Sequence, residues 1–302
     1  MFTADAHCDT LYEIAIKGHA PESCCVTMDR LKQGGVGLQT FAMFTSFRHP
    51  DPCGDGLKMK ELYKTLPLRH LDGPLPDAIP EENCCILSNE GGEMFRGSID
   101  LLRAFDDDVH LRLIALTWNY ENEIGTPAKI DETTGLKPFG LDLLKEMDRR
   151  GIAADVSHLN IAGFWDVIDH AKIAPLASHS NCRWLCGHAR NLHRDQVRAL
   201  IDRKGFIGIN FYSDFLAQGR PAVLDDVLRH IDEICSMGGE DVIGFGSDFD
   251  GIDIWPEGLG NPADFPALIE LLRAHGYPQA QLEKIAGKNY WRFLKDAEAP
   301  KS

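Results

Sequence analysis

The sequence predicts an α/β protein in which eight strands alternate with helices to form a (β/α)8 barrel, the TIM barrel. Eight short apolar runs recur along the whole chain, and stretches with helical spacing separate the later runs. The runs are nearly continuous in apolar residues, as expected of strands that are buried on both faces. A doubly wound open sheet is the alternative, but no Gly-x-Gly-x-x-Gly segment follows a strand to favour it.

The predicted elements follow one another in a regular order. The strands cover residues 3–6, 37–44, 84–88, 112–117, 152–156, 174–177, 206–210 and 242–246. The clearest helical patterns lie at 141–151, 161–172, 194–205, 223–239, 265–276 and 282–295. The first and third of these helices end in glycine after basic residues, which is a typical helix stop. We expect the last two helices to close the barrel.

Three segments rich in proline, glycine or charge lie after predicted strands, at 45–57, 119–140 and 249–266. In a barrel they would be loops on the face that carries the active site, where long loops shape a substrate pocket. No linker, internal repeat or low-complexity tract interrupts the chain. We therefore expect a single catalytic barrel domain over residues 1–302.

Composition argues against several kinds of partner. The 302 residues carry a formal net charge of −15, which leaves no broad basic face for a nucleic acid. No apolar run approaches the length of a membrane span. We expect no cleaved leader peptide, because the first candidate site residue is already residue 7. The nine cysteines do not resemble a disulfide framework, so we expect a cytoplasmic protein. Cys182 and Cys186 could belong to a metal site, but no second pair has zinc-finger spacing.

Five potential metal ligands lie near the ends of predicted strands. His7 and Asp9 are two residues apart, which puts both side chains on one face of a strand. Glu90, His158 and His179 each follow a different apolar run. Because catalytic residues of a barrel gather at the carboxyl ends of its strands, we expect these side chains to converge. Such a set of histidines and carboxylates is typical of a metal-dependent hydrolase.

Each of these candidates also has an ordinary structural interpretation. His7 could be hydrogen-bonded near a turn while Asp9 caps the following helix. A lone buried histidine is more often a structural hydrogen-bonding residue than a ligand. Glu90 precedes two glycines, which allow close backbone approach to a ligand, but it could be a solvated turn residue, as we interpret the nearby Glu93. Five candidates at equivalent positions favour the metal site, in which Glu90 could bridge two ions with its two oxygens.

Two further residues are candidates for proton transfer and for substrate binding. Asp248, after the eighth predicted strand, could transfer a proton or be a further ligand, and we prefer it to Asp250, which lies in a turn. Arg190 could bind a substrate carboxylate through its two-pronged guanidinium group, although a surface ion pair is an equal alternative. His188, in the same loop, is a weaker ligand candidate.

These residues lie in motifs that resemble one known family. The motifs DAHCDT, NEGG, LTWN, DVSH, SHSN, RN and GFGSDFDG occur between residues 5 and 251. Their order is similar to that in the membrane (renal) dipeptidase family of zinc metallopeptidases. The resemblance covers most of the chain, and the motifs are specific as a set although none is specific alone.

The resemblance implies a TIM barrel of the metal-dependent amidohydrolase type that holds two zinc ions. His7 and Asp9 would hold the first zinc, Glu90 would bridge both ions as part of the catalytic centre, and His158 and His179 would hold the second. Asp248 would be the catalytic proton-transfer residue. Three residues would contact the substrate: Arg190, Trp118 and Asn119.

Trp118 departs from the family pattern, because some members have a histidine there that contacts the substrate. The predicted function is hydrolysis of free dipeptides, including L,D-dipeptides, by a soluble microbial-type relative, with a homodimer as the expected assembly. The alternatives are another amidohydrolase reaction, on N-acyl-amino acids or lactones, or a barrel without catalytic activity.

Overall fold

The structure is a computed structural model that describes residues 1–298. Its centre is a closed barrel of eight parallel strands. The strands are β1 (Thr3–Asp5), β2 (Val36–Phe44), β3 (Cys84–Glu90), β4 (Leu113–Ala115), β5 (Ala153–Asp155), β6 (Leu176–Ala177), β7 (Phe206–Ile209) and β8 (Ile243–Phe245). The pairing of β2 with β3 closes the ring. The predicted TIM barrel is confirmed, and each predicted strand overlaps one observed strand.

A short additional strand, Arg69–His70, was not predicted. It pairs with Cys84 and Cys85 at the beginning of β3. The partner on that side of β3, strand β4, pairs with it only from Ser88 onward. The additional strand therefore covers backbone groups that β4 does not reach.

Helices surround the barrel and follow the strands in sequence. They are α1 (Thr10–Ala15), α2 (Met28–Gln33), α3 (Pro52–Tyr63), α4 (Ile99–Asp106), α5 (Pro138–Arg150), α6 (Ile161–His170), α7 (Arg194–Asp202), α8 (Ser213–Leu216), α9 (Leu224–Ser236), α10 (Phe265–His275), α11 (Gln279–Glu283) and α12 (Asn289–Glu298). Short 3₁₀ turns lie at Pro21–Ser23, Gly92–Phe95 and Pro262–Asp264, and a π-helical turn, Lys284–Lys288, joins α11 to α12.

Several predicted boundaries were wrong for local reasons. Helix α3 begins inside the segment predicted as the loop 45–57, because Pro52 suits the first helical position and the Asp51 carboxylate accepts a hydrogen bond from the Gly54 N–H at 3.1 Å. Helix α7 ends before the predicted glycine, and the left-handed residue there is Lys204, with φ of 54°. Helix α5 ends at Gly151 in the left-handed conformation, as predicted.

The C-terminal helix closes the amino-terminal end of the barrel. The Tyr290 hydroxyl lies 2.8 Å from the Thr40 hydroxyl inside the barrel, and its ring lies 4.7 Å from that of Phe206 on β7. At the end of α12, Glu298 forms an ion pair with the buried Arg112. This packing agrees with the prediction that the last helices close the barrel, and it leaves the opposite end open for a site. None of the helices within residues 1–298 combines the length and apolar character needed to cross a membrane.

Candidate metal centre

The five predicted ligands converge at the carboxyl-terminal end of the barrel. His7 and Asp9 follow β1, Glu90 ends β3, and His158 and His179 follow β5 and β6. All five side chains are buried. Within residues 1–298, the ligand atoms form overlapping groups whose members lie within 4.8 Å of one another. One group contains His7, Asp9 and Glu90, and another contains Glu90, His158 and His179.

The two oxygens of Glu90 face different partners. Its Oε1 lies 2.9 Å from Nε2 of His158 and 3.4 Å from Nε2 of His179. Its Oε2 lies 3.7 Å from Nε2 of His7, which in turn lies 3.4 Å from Oδ2 of Asp9. Glu90 is therefore the one carboxylate shared by the two groups.

A buried hydrogen-bond network orients His179. The Asp155 carboxylate accepts from the Ser178 hydroxyl and, at 2.6 Å, from the Ser157 hydroxyl. Since the single proton of the Ser178 hydroxyl is directed to Asp155, its oxygen accepts from Nδ1 of His179 at 2.7 Å. This fixes the tautomer that leaves a lone pair on Nε2, which faces Glu90.

The electrostatics of the cluster favour a cation. Burial lowers the pKa of His158 and of His179 well below the usual value, with further contributions from Arg190 and His7, so both rings are neutral. Burial, together with the charge of Asp9, raises the pKa of Glu90 well above its usual value. The ligand atoms of Asp9 and Glu90 lie within 4.8 Å of each other. Two negative charges at that distance or less repel by at least about 3 kcal/mol at an effective dielectric constant of ~20, a penalty that a bound cation offsets.

His7 differs from the other two histidines, because nearby carboxylates raise its pKa. Burial lowers its pKa, but Glu90 and Asp9 raise it, and the outcome is about 10. Nε2 of His7 and Oδ1 of Asp9 are nevertheless buried without a hydrogen-bond partner among residues 1–298. Unpartnered buried donors and acceptors are rare in folded proteins, and the nitrogen and oxygen atoms present are those that zinc prefers. The residues therefore fit a metal centre.

Asp248 lies at the edge of this cluster. Its Oδ1 is 3.9 Å from Nε2 of His7, and its Oδ2 accepts a hydrogen bond from the Asn210 side chain at 2.8 Å. Burial raises the pKa of Asp248 to about 6, although the charge of His7 opposes that shift. A carboxyl group with such a pKa can both accept and release a proton near neutral pH.

Arg190 is buried in the wall of the same cavity, with only 3% of its surface exposed. Its guanidinium group donates to the Ser180 hydroxyl at 3.5 Å and to the His179 carbonyl at 3.4 Å, and its Nε has no partner within residues 1–298. No carboxylate of the described residues lies within 4.0 Å of it. This geometry contradicts the alternative of a surface ion pair.

The cavity above the cluster has a volume of about 600 Å³. Trp118 and Asn119 line it, and the Asn119 side-chain oxygen lies 3.2 Å from Nδ1 of His158. The ring of Trp118 lies 4.7 Å from Phe44 and 5.5 Å from Tyr120, so the tryptophan belongs to an aromatic wall. All of the predicted site residues thus lie in or directly below this cavity.

Several alternative candidates have structural roles. The Cys182 thiol lies 3.7 Å from the His230 carbonyl, and Cys182 and Cys186 are absent from the metal-type groups found within residues 1–298. Asp250 accepts hydrogen bonds from Thr10 at 2.6 Å and from the Cys25 N–H at 2.5 Å, so it anchors a loop.

The interpretation of Glu93 as a solvated residue was wrong. It is buried, and burial raises its pKa to about 7. Its 3₁₀ turn packs inward instead of leading into solvent.

Sequence reasoning missed the residues that support or surround the cluster. Asn210 directly follows β7, a strand for which no ligand was evident, and a polar residue at a strand end was the available signal. Asp155 and Ser178 lie inside the motifs DVSH and SHSN. From the sequence, a role was assigned only to the histidines of those motifs, His158 and His179. Lys129 lines the cavity from a loop without any sequence pattern.

Comparisons with known proteins agree on one family. The family model described as "Membrane dipeptidase (Peptidase family M19)" matches residues 1–302. An uncharacterized dipeptidase of Schizosaccharomyces pombe is 30% identical over 296 residues, covering 89% of this chain and 72% of that protein. An uncharacterized protein from the pqqA 5′ region of Klebsiella pneumoniae is 40% identical over 217 residues, covering 68% of this chain and 79% of that protein.

Two solved structures resemble the whole chain. The dipeptidase AC, a metallopeptidase of family M19, has a TM-score of 0.85 and 27% identity and covers 98% of both chains. A metallopeptidase from Rhodobacter sphaeroides bound to a phosphinate mimic of the dipeptide L-Ala-D-Ala has a TM-score of 0.84 and 26% identity. That match covers 98% of this chain and 99% of the other.

Proposed function

The chain belongs to the membrane dipeptidase family, peptidase family M19, and from this premise we propose that it is a binuclear zinc dipeptidase. Its substrates are free dipeptides, including L,D-dipeptides, and residues 1–302 form one catalytic domain. The proposed location is the cytoplasm, and the proposed assembly is a homodimer.

One observation carries the proposal of two zinc ions. Glu90 directs one oxygen to His158 and His179 and the other to His7, so a single carboxylate serves two groups of ligand atoms. His7 and Asp9 would hold one zinc, His158 and His179 would hold the other, and Glu90 would bind both. Zinc at this position supplies Lewis-acid polarisation of the peptide carbonyl and activation of the attacking water.

Asp248 is the proposed proton carrier. Asn210 holds its Oδ2 at 2.8 Å, which leaves Oδ1 directed toward the cluster. Oδ1 would take the proton of the attacking water and then deliver it to the nitrogen of the leaving amine.

Arg190 is the proposed binding residue for the C-terminal carboxylate of the substrate. A buried guanidinium group without a carboxylate partner among residues 1–298 is suited to an anion that arrives with the substrate. If that carboxylate must lie close to the cleaved bond, only one residue fits between them, so cleavage releases a single C-terminal residue. Trp118 and Asn119 would flank the bound dipeptide. The ligand of the Rhodobacter sphaeroides relative, a mimic of L-Ala-D-Ala, supports including L,D-dipeptides.

The test compares free dipeptides, in L,L and L,D forms, with their N-acetylated counterparts. We expect cleavage of the free dipeptides only, with loss of activity after chelation and recovery with zinc. Cleavage of the acetylated compounds alone would refute the dipeptidase proposal in favour of another amidohydrolase reaction. A protein that cleaves neither set, with zinc bound, would refute it as well.

A further inference from the structure

The backbone of the turn that carries Lys129 is held beside the proposed centre, and the lysine itself is exposed. It lies in the turn 127–130, where Pro127 forms an antiparallel bridge with Leu159. The next residue, Ala128, donates its N–H to the His158 carbonyl at 2.9 Å. The turn is thus attached to the segment that carries a proposed zinc ligand, and the Lys129 side chain lines the rim of the same cavity.

The ammonium group of Lys129 has no carboxylate within 4.0 Å among residues 1–298. By contrast, Lys137 in the same loop region pairs with Glu121 at 2.8 Å. Lys129 instead shares the cavity with Arg190. Desolvation, followed by the charge of Arg190, lowers the pKa of Lys129. Lys129 and Arg190 line the same cavity and repel each other, although carboxylates such as Asp248 and Asp253 also line it. An anionic substrate group placed between the two cations would relieve that repulsion.

From this arrangement we infer that Lys129 selects dipeptides whose C-terminal residue has an acidic side chain, an aspartyl or glutamyl group. The inference rests on the proposed dipeptidase function. Arg190 would hold the α-carboxylate in the buried part of the cavity, and Lys129 would meet the side-chain carboxylate at the exposed rim. Such a substrate brings two carboxylates to two cations that have no carboxylate within 4.0 Å among residues 1–298.

A competing arrangement has Lys129 and Arg190 sharing the single α-carboxylate. The two arrangements differ in one measurable property. A residue that contacts the α-carboxylate affects every dipeptide, whereas a residue that contacts the side chain affects only the acidic ones. Aspartyl and asparaginyl dipeptides are nearly isosteric, so their comparison isolates the charge.

The experiment measures kcat/KM of the zinc-loaded protein for Ala-Asp and Ala-Asn, with the second residue in L and in D form. We expect the wild type to prefer Ala-Asp about two- to fivefold, the range for an exposed ion pair at a cavity rim. In Lys129→Met the ratio of kcat/KM for Ala-Asp to kcat/KM for Ala-Asn should fall to about one. In Lys129→Glu the same ratio should fall below one. Added salt should reduce the wild-type ratio. Lys145→Met, which removes an exposed lysine paired with Asp142 on α5, should keep the wild-type ratio.

Three results would overturn the inference. A wild-type ratio near one, an equal loss for both substrates in Lys129→Met, or an unchanged ratio in that variant would each exclude side-chain selection. If the dipeptidase proposal itself is wrong, the wild type will cleave neither dipeptide. Both proposals would then be refuted together. Normal melting temperatures of the variants would show that the turn remains folded.

Discussion

Replacing Asp155 by asparagine should reverse the tautomer of His179 and weaken zinc binding. The carboxylate accepts four hydrogen bonds, from the N–H and hydroxyl groups of Ser157 and Ser178. In the asparagine variant, the remaining oxygen can keep the three donors around Oδ1. The new amide group then takes the place of Oδ2 and donates to the Ser178 hydroxyl. That hydroxyl must direct its own proton to Nδ1 of His179, so the ring proton moves to Nε2, the atom that faces Glu90.

The size of the effect follows from what is lost. Changes in groups that orient metal-bound histidines reduce metal affinity about 10- to 100-fold. This corresponds to about 1.4 to 2.8 kcal/mol at 1.4 kcal/mol per factor of ten. A single hydrogen bond to a charged group, such as that between Asp155 and Ser178, has a similar value of about 1.5–3 kcal/mol. We therefore expect the dissociation constant of the zinc held by His158 and His179 to rise by about one to two orders of magnitude.

The assay is equilibrium dialysis of wild type and Asp155→Asn against a series of buffered zinc concentrations, with bound zinc counted per chain. Asp5→Asn is the matched control. Asp5 is also buried and accepts from the Ser247 N–H and hydroxyl at 2.8 and 2.6 Å and from the His7 backbone N–H at 3.4 Å. Unlike Ser178, however, the Ser247 hydroxyl contacts no histidine ring. Both variants should lose stability, and only Asp155→Asn should lose zinc affinity at one of the two ions. Equal zinc affinity in Asp155→Asn and wild type, or equal losses in both variants, would refute the tautomer argument.

Three other substitutions test separate parts of the site and fold. Asp248→Asn should lower kcat about 10²- to 10⁴-fold, the usual contribution of a proton-transfer group, while zinc content stays unchanged; full activity would exclude the proposed role. Arg190→Met should reduce kcat/KM for free dipeptides by about 30-fold or more, because a buried charge pair is lost, but should change hydrolysis of C-terminally amidated dipeptides little. A uniform loss for both would point to general damage. Burial lowers the pKa of His230 to about 4 in the folded state, whereas the ring keeps its usual value of 6.5 in the unfolded chain. Below pH 6.5 the unfolded state therefore binds a proton that the folded state does not, which favours unfolding. Stability should fall by up to about 3 kcal/mol as the pH drops from 6.5 to 4. Denaturant titrations should show that the free energy of unfolding of His230→Gln depends less on pH than that of the wild type. An unchanged pH dependence would mean that other groups cause the loss of stability.

The barrel and the candidate ligands were predictable because both depend on local signals. An apolar run marks each strand, and the polar residue at its end marks the open face of the barrel. His7, Glu90, His158 and His179 all follow that rule. The distances among them could not be derived, because those depend on how the strands pair around the ring.

The supporting residues were less predictable because their roles depend on contacts between distant segments. Asp155 becomes an orienting group only when β5 and β6 lie side by side and bring Ser178 to its carboxylate. Glu93 resembles a surface glutamate in sequence, but its 3₁₀ turn carries it inward. Lys129 lacks any periodic context, and only the bridge at Pro127 brings it to the cavity.

The loop after β8 illustrates how local strain can support the site. Asp248 and Asp250 have φ values of 63° and 67°, in the left-handed region that aspartate tolerates better than most residues other than glycine, although at some cost. Three hydrogen bonds to Asp250, from Thr10, Cys25 and Val26, hold the turn in this conformation. A side chain on the following glycine, Gly251, would come within 2.1 Å of Oδ2 of Asp9 and 2.6 Å of Oδ1 of Asp248. The turn therefore needs glycine at position 251, because only the absence of a side chain there leaves room for the Asp9 and Asp248 carboxylates to face the same centre.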